Sequence, residues 1–284
     1  MKLGVFTVCM PDYEPLAALD VLGKMGYDGV EWRVTQDTGD RNNPSFWSGN
    51  RTSMTAAEVI ERAPELKARA QAAGVAMPSL GAYLAIDSCT FADAELHMRA
   101  TAAIGAKNVR ISAGQYGRQP GKFWDLFKQA RANYAKLTEL AARHNVRVVI
   151  ETHMGQLGPS VMNARAILEG LDPRHVGIMW DPANQVTEGR ETYKMALEIA
   201  GEYLAEVHAK NTRAVCTPDQ VNGQRIWRDE AAPLRDGIVN WPEVIKALKS
   251  IGYDGWIFFE DFSTEVPLLD RLRDNLAWFR ELTA

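Results

Sequence analysis

Eight short apolar runs recur along the 284-residue chain, and longer helix-like segments separate them. This alternation is typical of parallel βα units rather than of hairpins, and nearly unbroken apolar runs are expected where strands are covered on both faces. The predicted strands are Leu3–Val8, Val30–Val34, Val75–Leu80, Asn108–Ser112, Val146–Thr152, Val176–Asp181, Leu204–Lys210 and Trp256–Glu260. Eight units in a chain of this length predict an α/β fold, a single (β/α)8 TIM barrel over residues 1–284.

The segments between these runs divide into helices and two long loops. Apolar residues at steps of three and four, from Phe123 to Ala141 and from Val266 to Phe279, indicate amphipathic helices. The segments Thr35–Thr55 and Thr212–Asp236 are predicted to be loops. Loops of this length are uncommon unless they are functional, so we expect both to shape a pocket.

Charge and composition exclude several classes of protein. A net charge of −4 offers no broad basic surface for a nucleic-acid backbone, and no apolar run reaches the roughly 20 residues of a membrane span. Three cysteines and the lack of a secretory signal at the start predict a cytoplasmic protein without disulfides. No dinucleotide-binding glycine fingerprint follows a strand. We expect a small-molecule partner, with no nucleic-acid or membrane partner, and leave open a homo-oligomer.

Polar side chains end each of the last four predicted strands. They are Glu151, Asp181, His208 and Glu260. Because the carboxyl ends of barrel strands build the active site, we expect the four to converge there, where three carboxylates repel one another unless a cation neutralises them. This oxygen-rich set with one imidazole favours Mn²⁺, with Mg²⁺ or Co²⁺ as alternatives and Zn²⁺ behind them.

The order Glu, Asp, His, Glu on strands five to eight resembles the sugar phosphate isomerase/epimerase family of xylose-isomerase-like barrels. Glu151-Thr152-His153 is similar to the family's Glu-x-His, and Asp181-Pro182-Ala183-Asn184 is similar to its Asp-Pro-x-Asn. His208-Ala209-Lys210-Asn211 departs from His-x-Lys-Asp because asparagine replaces the final acid. The resemblance extends over essentially the whole chain.

The resemblance implies that Glu151 and Glu260 are both metal ligands and an acid/base pair on opposite faces of the substrate. We therefore expect an enzyme of carbohydrate metabolism, an isomerase or epimerase of a keto-sugar or related polyol. It would remove a proton next to a carbonyl and form an enediolate. A metal-dependent lyase or dehydratase using the same enolate, for inosose-type dehydration or 3-keto-glycoside cleavage, is the alternative. A non-catalytic sugar-binding barrel is the third hypothesis.

Substrate contacts are expected from strand ends and from the long loops. The predicted residues are Glu31, Trp47, His153, Asn184, Lys210 and Arg213. No glycine-rich phosphate cradle follows the last two strands, which favours an unphosphorylated sugar. The chain also lacks the additional strand-end histidines of the three-zinc endonuclease branch, so we do not expect DNA repair.

Overall fold

Eight parallel strands close into a barrel in the computed structural model, which describes residues 1–117 and 120–284. The barrel strands are β1 (Lys2–Phe6), β2 (Gly29–Val34), β3 (Ala76–Ala82), β4 (Asn108–Arg110), β5 (Arg147–Glu151), β6 (Val176–Trp180), β7 (Leu204–Ala209) and β10 (Trp256–Phe259). Their order around the barrel follows the chain, and β1 closes the ring by pairing with both β2 and β10. The predicted (β/α)8 fold and all eight strands are confirmed.

Helices connect successive strands and bury their apolar faces against the barrel and against one another. They are α1 (Pro15–Met25), α2 (Ala56–Ala73), α3 (Phe91–Ile104), α4 (Phe123–His144), α5 (Val161–Leu168), α6 (Pro182–Thr187), α7 (Tyr193–Ala200), α8 (Trp241–Ser250) and α9 (Leu268–Thr283). Both predicted apolar stripes lie on helices, α4 and α9, except that Val266 precedes α9 and is exposed. Within the described ranges, no helix combines the length and apolarity needed to cross a bilayer.

The barrel interior contains both aromatic rings and buried charged side chains. Phe6 and Phe258 fill the side formed by β1 and β10. Two glycines make room for these rings, since a Cβ at Gly4 would lie 2.6 Å from Phe258 and one at Gly81 would lie 2.4 Å from Phe6. Buried charged and polar side chains share the interior with these rings. The His208 ring lies 5.4 Å from that of Phe6, and the Arg110 guanidinium lies 5.5 Å from the same ring.

The segment after β7 is a β-hairpin, so the loop predicted over Thr212–Asp236 is wrong. Strand β8 (Asn211–Val221) pairs antiparallel with β9 (Gln224–Ala232). The turn residues Asn222 and Gly223 have positive φ angles of 50° and 79°, as a two-residue type I′ turn requires. An Asn-Gly pair is a strong hairpin signal, and overlooking it caused the error.

The other long segment, 35–55, contains no helix or strand, as predicted. Asp37 holds it together, because its carboxylate accepts hydrogen bonds from the backbone N–H groups of Gly39, Gly49 and Asn50 at 2.8–3.0 Å. Arg33 of β2 donates to the same carboxylate at 2.9 Å. The loop therefore has a defined conformation that presents Trp47 to solvent beside the barrel mouth.

Candidate metal centre

The four predicted metal ligands come together at the carboxyl ends of the strands. Glu151 ends β5, His208 lies near the end of β7, and Asp181 and Glu260 directly follow β6 and β10. Each offers one ligand atom, and these four atoms all lie within 4.8 Å of one another. All four side chains are buried. Three carboxylates and an imidazole this close together form a set that a single cation could bridge.

One atom of this cluster, the buried Nδ1 of His208, has no partner among the described residues. It lies 3.5 Å from a Glu151 oxygen and 3.6 Å from a Glu260 oxygen, longer than a normal hydrogen bond. Oδ2 of Asp181 is also buried, and the Lys210 ammonium is its close neighbour at 2.9 Å. Leaving a buried polar atom unsatisfied costs roughly 1–3 kcal/mol, and a cation between the four ligands would satisfy Nδ1 of His208. The residues therefore fit a divalent metal ion.

Glu31 lies behind His208, on the side away from the cluster. His208 Nε2 donates to Glu31 Oε2 at 2.7 Å, and both side chains are fully buried. A proton fixed on Nε2 leaves the lone pair of Nδ1 directed at the other three ligands, the arrangement that orients metal-binding histidines. Burial alone would lower the pKa of His208, but the charges of Glu31 and Glu260 raise it well above its usual value.

Two cations, Arg110 and Lys210, neutralise part of the acidic cluster. Arg110 Nη1 donates to Glu151 Oε2 at 2.5 Å, and Lys210 Nζ donates to Glu260 Oε2 at 2.8 Å. Burial raises the pKa of each carboxyl, but the neighbouring positive charges together have the larger, opposite effect. The pKa of Glu151 therefore falls well below its usual range, and the pKa of Glu260 falls to about 2.

The acids around the cluster outnumber its two permanent cations. Glu31 joins the three carboxylate ligands to make four acids, whereas Arg110 and Lys210 supply two positive charges. If His208 is the neutral ligand of a divalent ion, the remaining two negative charges would equal the charge of that ion. Lys210 Nζ also lies 2.9 Å from Asp181 Oδ2, so its ammonium contacts two of the four candidate ligands, Asp181 and Glu260.

A pocket of about 240 Å³ opens over the cluster. Its wall contains Glu151 and Glu260, together with polar and aromatic side chains from several strand ends and loops. The other lining residues are Trp47, Ala82, Tyr83, Leu84, Ala85, Arg110, Ser112, Gln115, His153, Gln156 and Lys210. Within the described part of the chain, Oε1 of Gln156 is buried without a partner and is available to a ligand.

Three of the six predicted substrate contacts line this pocket, namely Trp47, His153 and Lys210. His208 and Lys210 are two residues apart at the end of β7 and point to the same side, since both approach Glu260. Nδ1 of His153 donates a hydrogen bond to the carbonyl of Met154 at 2.8 Å. The His153 ring is part of the pocket wall.

The other three predicted contacts lie outside the pocket lining. Asn184 is buried and donates to Glu151 Oε1 at 3.2 Å, so it orients a cluster carboxylate. Glu31 is covered by His208. Arg213, at the base of the hairpin, pairs with Glu265 at 2.6 Å.

Sequence reasoning missed Arg110, Tyr83 and the glutamines of the wall. Arg110 could have been found from the sequence, because it interrupts an apolar strand. It alternates with Asn108 and Ser112, so the three side chains are expected to point into the barrel. A charged residue inside a barrel strand requires a buried partner, and the carboxylates at the neighbouring strand ends provide it. Tyr83 packs between two guanidinium groups, 5.0 Å from Arg33 and 4.7 Å from Arg110, a contact that only the folded barrel brings about.

Comparison with known proteins gives the same fold over the whole chain. A crystal structure of 3-keto-D-glucoside 4-epimerase from E. coli superposes with a TM-score of 0.73 at 18% identity, covering 99% of both chains. A crystal structure of the IOLI protein with a bound zinc atom gives a TM-score of 0.72 at 17% identity, covering 100% of this chain and 98% of the other.

Inosose dehydratase of Geobacillus thermodenitrificans is 25% identical over 143 residues, which cover 48% of this chain and 46% of that protein. The chain thus matches about half the length of this curated relative. The family described as the xylose isomerase-like TIM barrel matches residues 19–282, nearly the whole sequence. The chain belongs to the xylose isomerase-like TIM barrel family.

Proposed function

We propose that the protein is a divalent-metal-dependent isomerase or epimerase of a keto-sugar or related polyol. The observation that carries this proposal is the buried cluster of Glu151, Asp181, His208 and Glu260 at the floor of a pocket. The unsatisfied Nδ1 of His208, which points at the three carboxylates, supports a metal at this position. We infer Mn²⁺ as the ion, since three of the four ligands are carboxylates.

Glu151 and Glu260 are the proposed proton carriers. Both line the pocket and both are held ionised by a cation, so each can accept a proton from a carbon next to a carbonyl. A divalent ion at this site would supply charge stabilisation for the enediolate that follows. Return of the proton from the opposite face by the other glutamate inverts the centre, whereas its return to the adjacent carbon exchanges ketose and aldose.

The charges of the wall favour a neutral substrate. Each cation near the pocket already has an acid: Arg110 has Glu151 and Lys210 has Glu260. The remaining polar wall of the described structure is supplied mainly by Ser112, Gln115 and Gln156, which suit hydroxyl groups. Trp47 and Tyr83 offer apolar faces to sugar C–H groups. We infer an unphosphorylated polyol of about monosaccharide size.

Solvent exchange tests this proposal. Ketoses incubated with the enzyme and Mn²⁺ in D₂O should gain deuterium at the carbon next to the carbonyl, measured by NMR and mass spectrometry. The matched control is the Glu260→Gln enzyme, which should not catalyse exchange. A broad panel of neutral ketoses and inososes that shows neither exchange nor product with the metal-loaded enzyme would contradict the proposal.

A lyase that uses the same enolate is the second candidate. The similarity to an inosose dehydratase over half the chain favours it. In this reaction a β-substituent leaves in place of the returning proton. Product mass separates the two, because an isomerase conserves substrate mass and a dehydratase releases water.

A further inference from the structure

A second cavity lies at the opposite end of the barrel, where the strands begin. Its volume is about 520 Å³, and it is separated from the metal cluster by the length of the strands. Its lining combines cationic groups with an apolar wall. The lining residues are Pro78, Lys107, Asn108, Asn145, Arg147, Pro173, Arg174, His175, Ala205 and Trp256.

Arg147, at the start of β5, is held in place by backbone carbonyls but is not paired with a carboxylate in the described chain. Its guanidinium donates to the carbonyls of Val176, Leu204 and Glu202 at 2.9–3.4 Å, and no carboxylate within 4.0 Å pairs with it in the described chain. Gly177 leaves room for this side chain, because a Cβ at that position would lie 2.6 Å from Arg147 Nε. Three of the five guanidinium N–H groups are used, so donors remain for a ligand.

Lys107 brings a second cation to the same cavity. Its ammonium donates to the carbonyl of Asn145 at 2.9 Å, and among the described residues it too has no carboxylate within ion-pair distance. Partial burial and the nearby charge of Arg147 lower the pKa of Lys107. Two cations that repel each other in one cavity are stabilised by an anion placed between them.

The acids near this cavity are already engaged. Asp172 holds Arg174 through paired hydrogen bonds at 2.6–3.0 Å. Glu206, inside the barrel, accepts hydrogen bonds from Ser79 at 2.8 Å and from Asn108 at 2.9 Å. Neither carboxylate forms an ion pair with Lys107 or Arg147 in the described structure, so no direct contact with an acid neutralises these two cations.

An imidazole ring and an apolar wall complete the cavity. The ring of His175 is held in place because its Nδ1–H donates to the carbonyl of Val146 at 3.0 Å. Trp256 forms the apolar wall with Pro78 and Pro173, and its ring is seated over Gly29, where a Cβ would lie 2.5 Å away. The cavity is therefore a built pocket with room for an anion and a small organic group.

We propose that this cavity binds a small oxyanion, the phosphate group of inorganic phosphate or of a phosphomonoester. Lysine and arginine donors suit phosphate oxygens, and a dianion balances the charges of Lys107 and Arg147. The site is separate from the proposed substrate pocket, whose cations are all paired. Its ligand is thus chemically distinct from the neutral polyol of that pocket.

Calorimetric titration of the full chain tests the proposal, with inorganic phosphate and glycerol 3-phosphate as probes in buffer without added metal. We expect at least one probe to bind with one site per chain. Lys107→Gln should weaken binding roughly tenfold, since it removes one charge-assisted contact, whereas Lys107→Arg should keep it. Lys128→Gln, which removes an exposed charge on α4, is the matched control and should bind as the wild type does.

The two probes distinguish the sources of the phosphate group. Tighter binding of glycerol 3-phosphate, lost in Lys107→Gln, would assign the cavity to a phosphomonoester, whereas equal or tighter binding of inorganic phosphate would assign it to the free anion. Lack of binding by either probe overturns the proposal. Binding that is unchanged in Lys107→Gln also overturns it, because the anion would then lie elsewhere.

Discussion

Buried acids lie at two successive levels inside the barrel, and the side chains that surround them differ between the two levels. Glu206 receives hydrogen bonds from two neutral side chains, Ser79 and Asn108, and burial together with the charge of Glu31 raises its pKa to about 7. Two residues further along the same strand, His208 faces ionised carboxylates and keeps an unsatisfied nitrogen.

Burial of an acid does not by itself indicate a ligand-binding site. A buried carboxyl whose hydrogen bonds are satisfied can take up a proton and have a purely structural role. Ionised acids held beside buried atoms without partners require something from outside the chain. The upper acids Glu151 and Glu260, whose pKa values are lowered beside the unsatisfied Nδ1 of His208, meet that description, and Glu206 does not.

The largest expected effect comes from removing a proposed proton carrier. Glu151→Gln and Glu260→Gln should each lower the rate of solvent deuterium exchange by about 10³-fold or more, as the loss of a general base does. Glu206→Gln is the matched control, the same change at the lower level, and should retain a rate close to wild type. A near-normal rate in either upper variant would remove that residue from the acid/base pair.

Loss of a counter-cation should come next. Arg110→Met leaves Glu151 buried without its 2.5 Å partner, and breaking a buried ion pair in this way costs about 3–5 kcal/mol. Urea denaturation should report this loss of unfolding free energy, and Mn²⁺ should restore part of it. An unchanged stability would show that Arg110 does not hold the carboxylate.

The pH dependence of stability should distinguish Glu206 from the upper acids. A native pKa of about 7, above the ordinary 4.5, means that Glu206 contributes stability fully present below pH 4.5 and lost as the pH rises through 7. The unfolding free energy of wild type relative to Glu206→Gln should therefore fall by about 3 kcal/mol between pH 4.5 and 8. Urea titrations at these two pH values measure the difference, and parallel curves would contradict a protonated Glu206.

A smaller effect is expected behind the histidine. Glu31→Gln keeps an oxygen acceptor for His208 Nε2 but removes the negative charge, so Mn²⁺ affinity should fall about 10–100-fold. Competition with a chelator measures this affinity. The Glu206→Gln chain should bind Mn²⁺ about as tightly as wild type, and an equal loss in both variants would argue against a specific role for Glu31.

The sequence predicted the barrel and the cluster because both depend on local pattern. Apolar runs specify the strands, and the strand ends specify which side chains share the barrel mouth. The role of Glu31 could not be predicted in this way, since its bond to His208 joins residues 177 positions apart. The hairpin was predictable from Asn222 and Gly223, whereas the placement of Tyr83 between Arg33 and Arg110 depends on packing across three strands.

Anomalous diffraction from crystals soaked in Mn²⁺ would show directly whether the four ligands hold a metal ion. We expect one strong peak per chain within bonding distance of Glu151, Asp181 and Glu260 oxygens and of His208 Nδ1, and no such peak in His208→Gln crystals. A peak elsewhere, or a wild-type crystal without a peak in which Lys210 still bridges Asp181 and Glu260, would contradict this expectation.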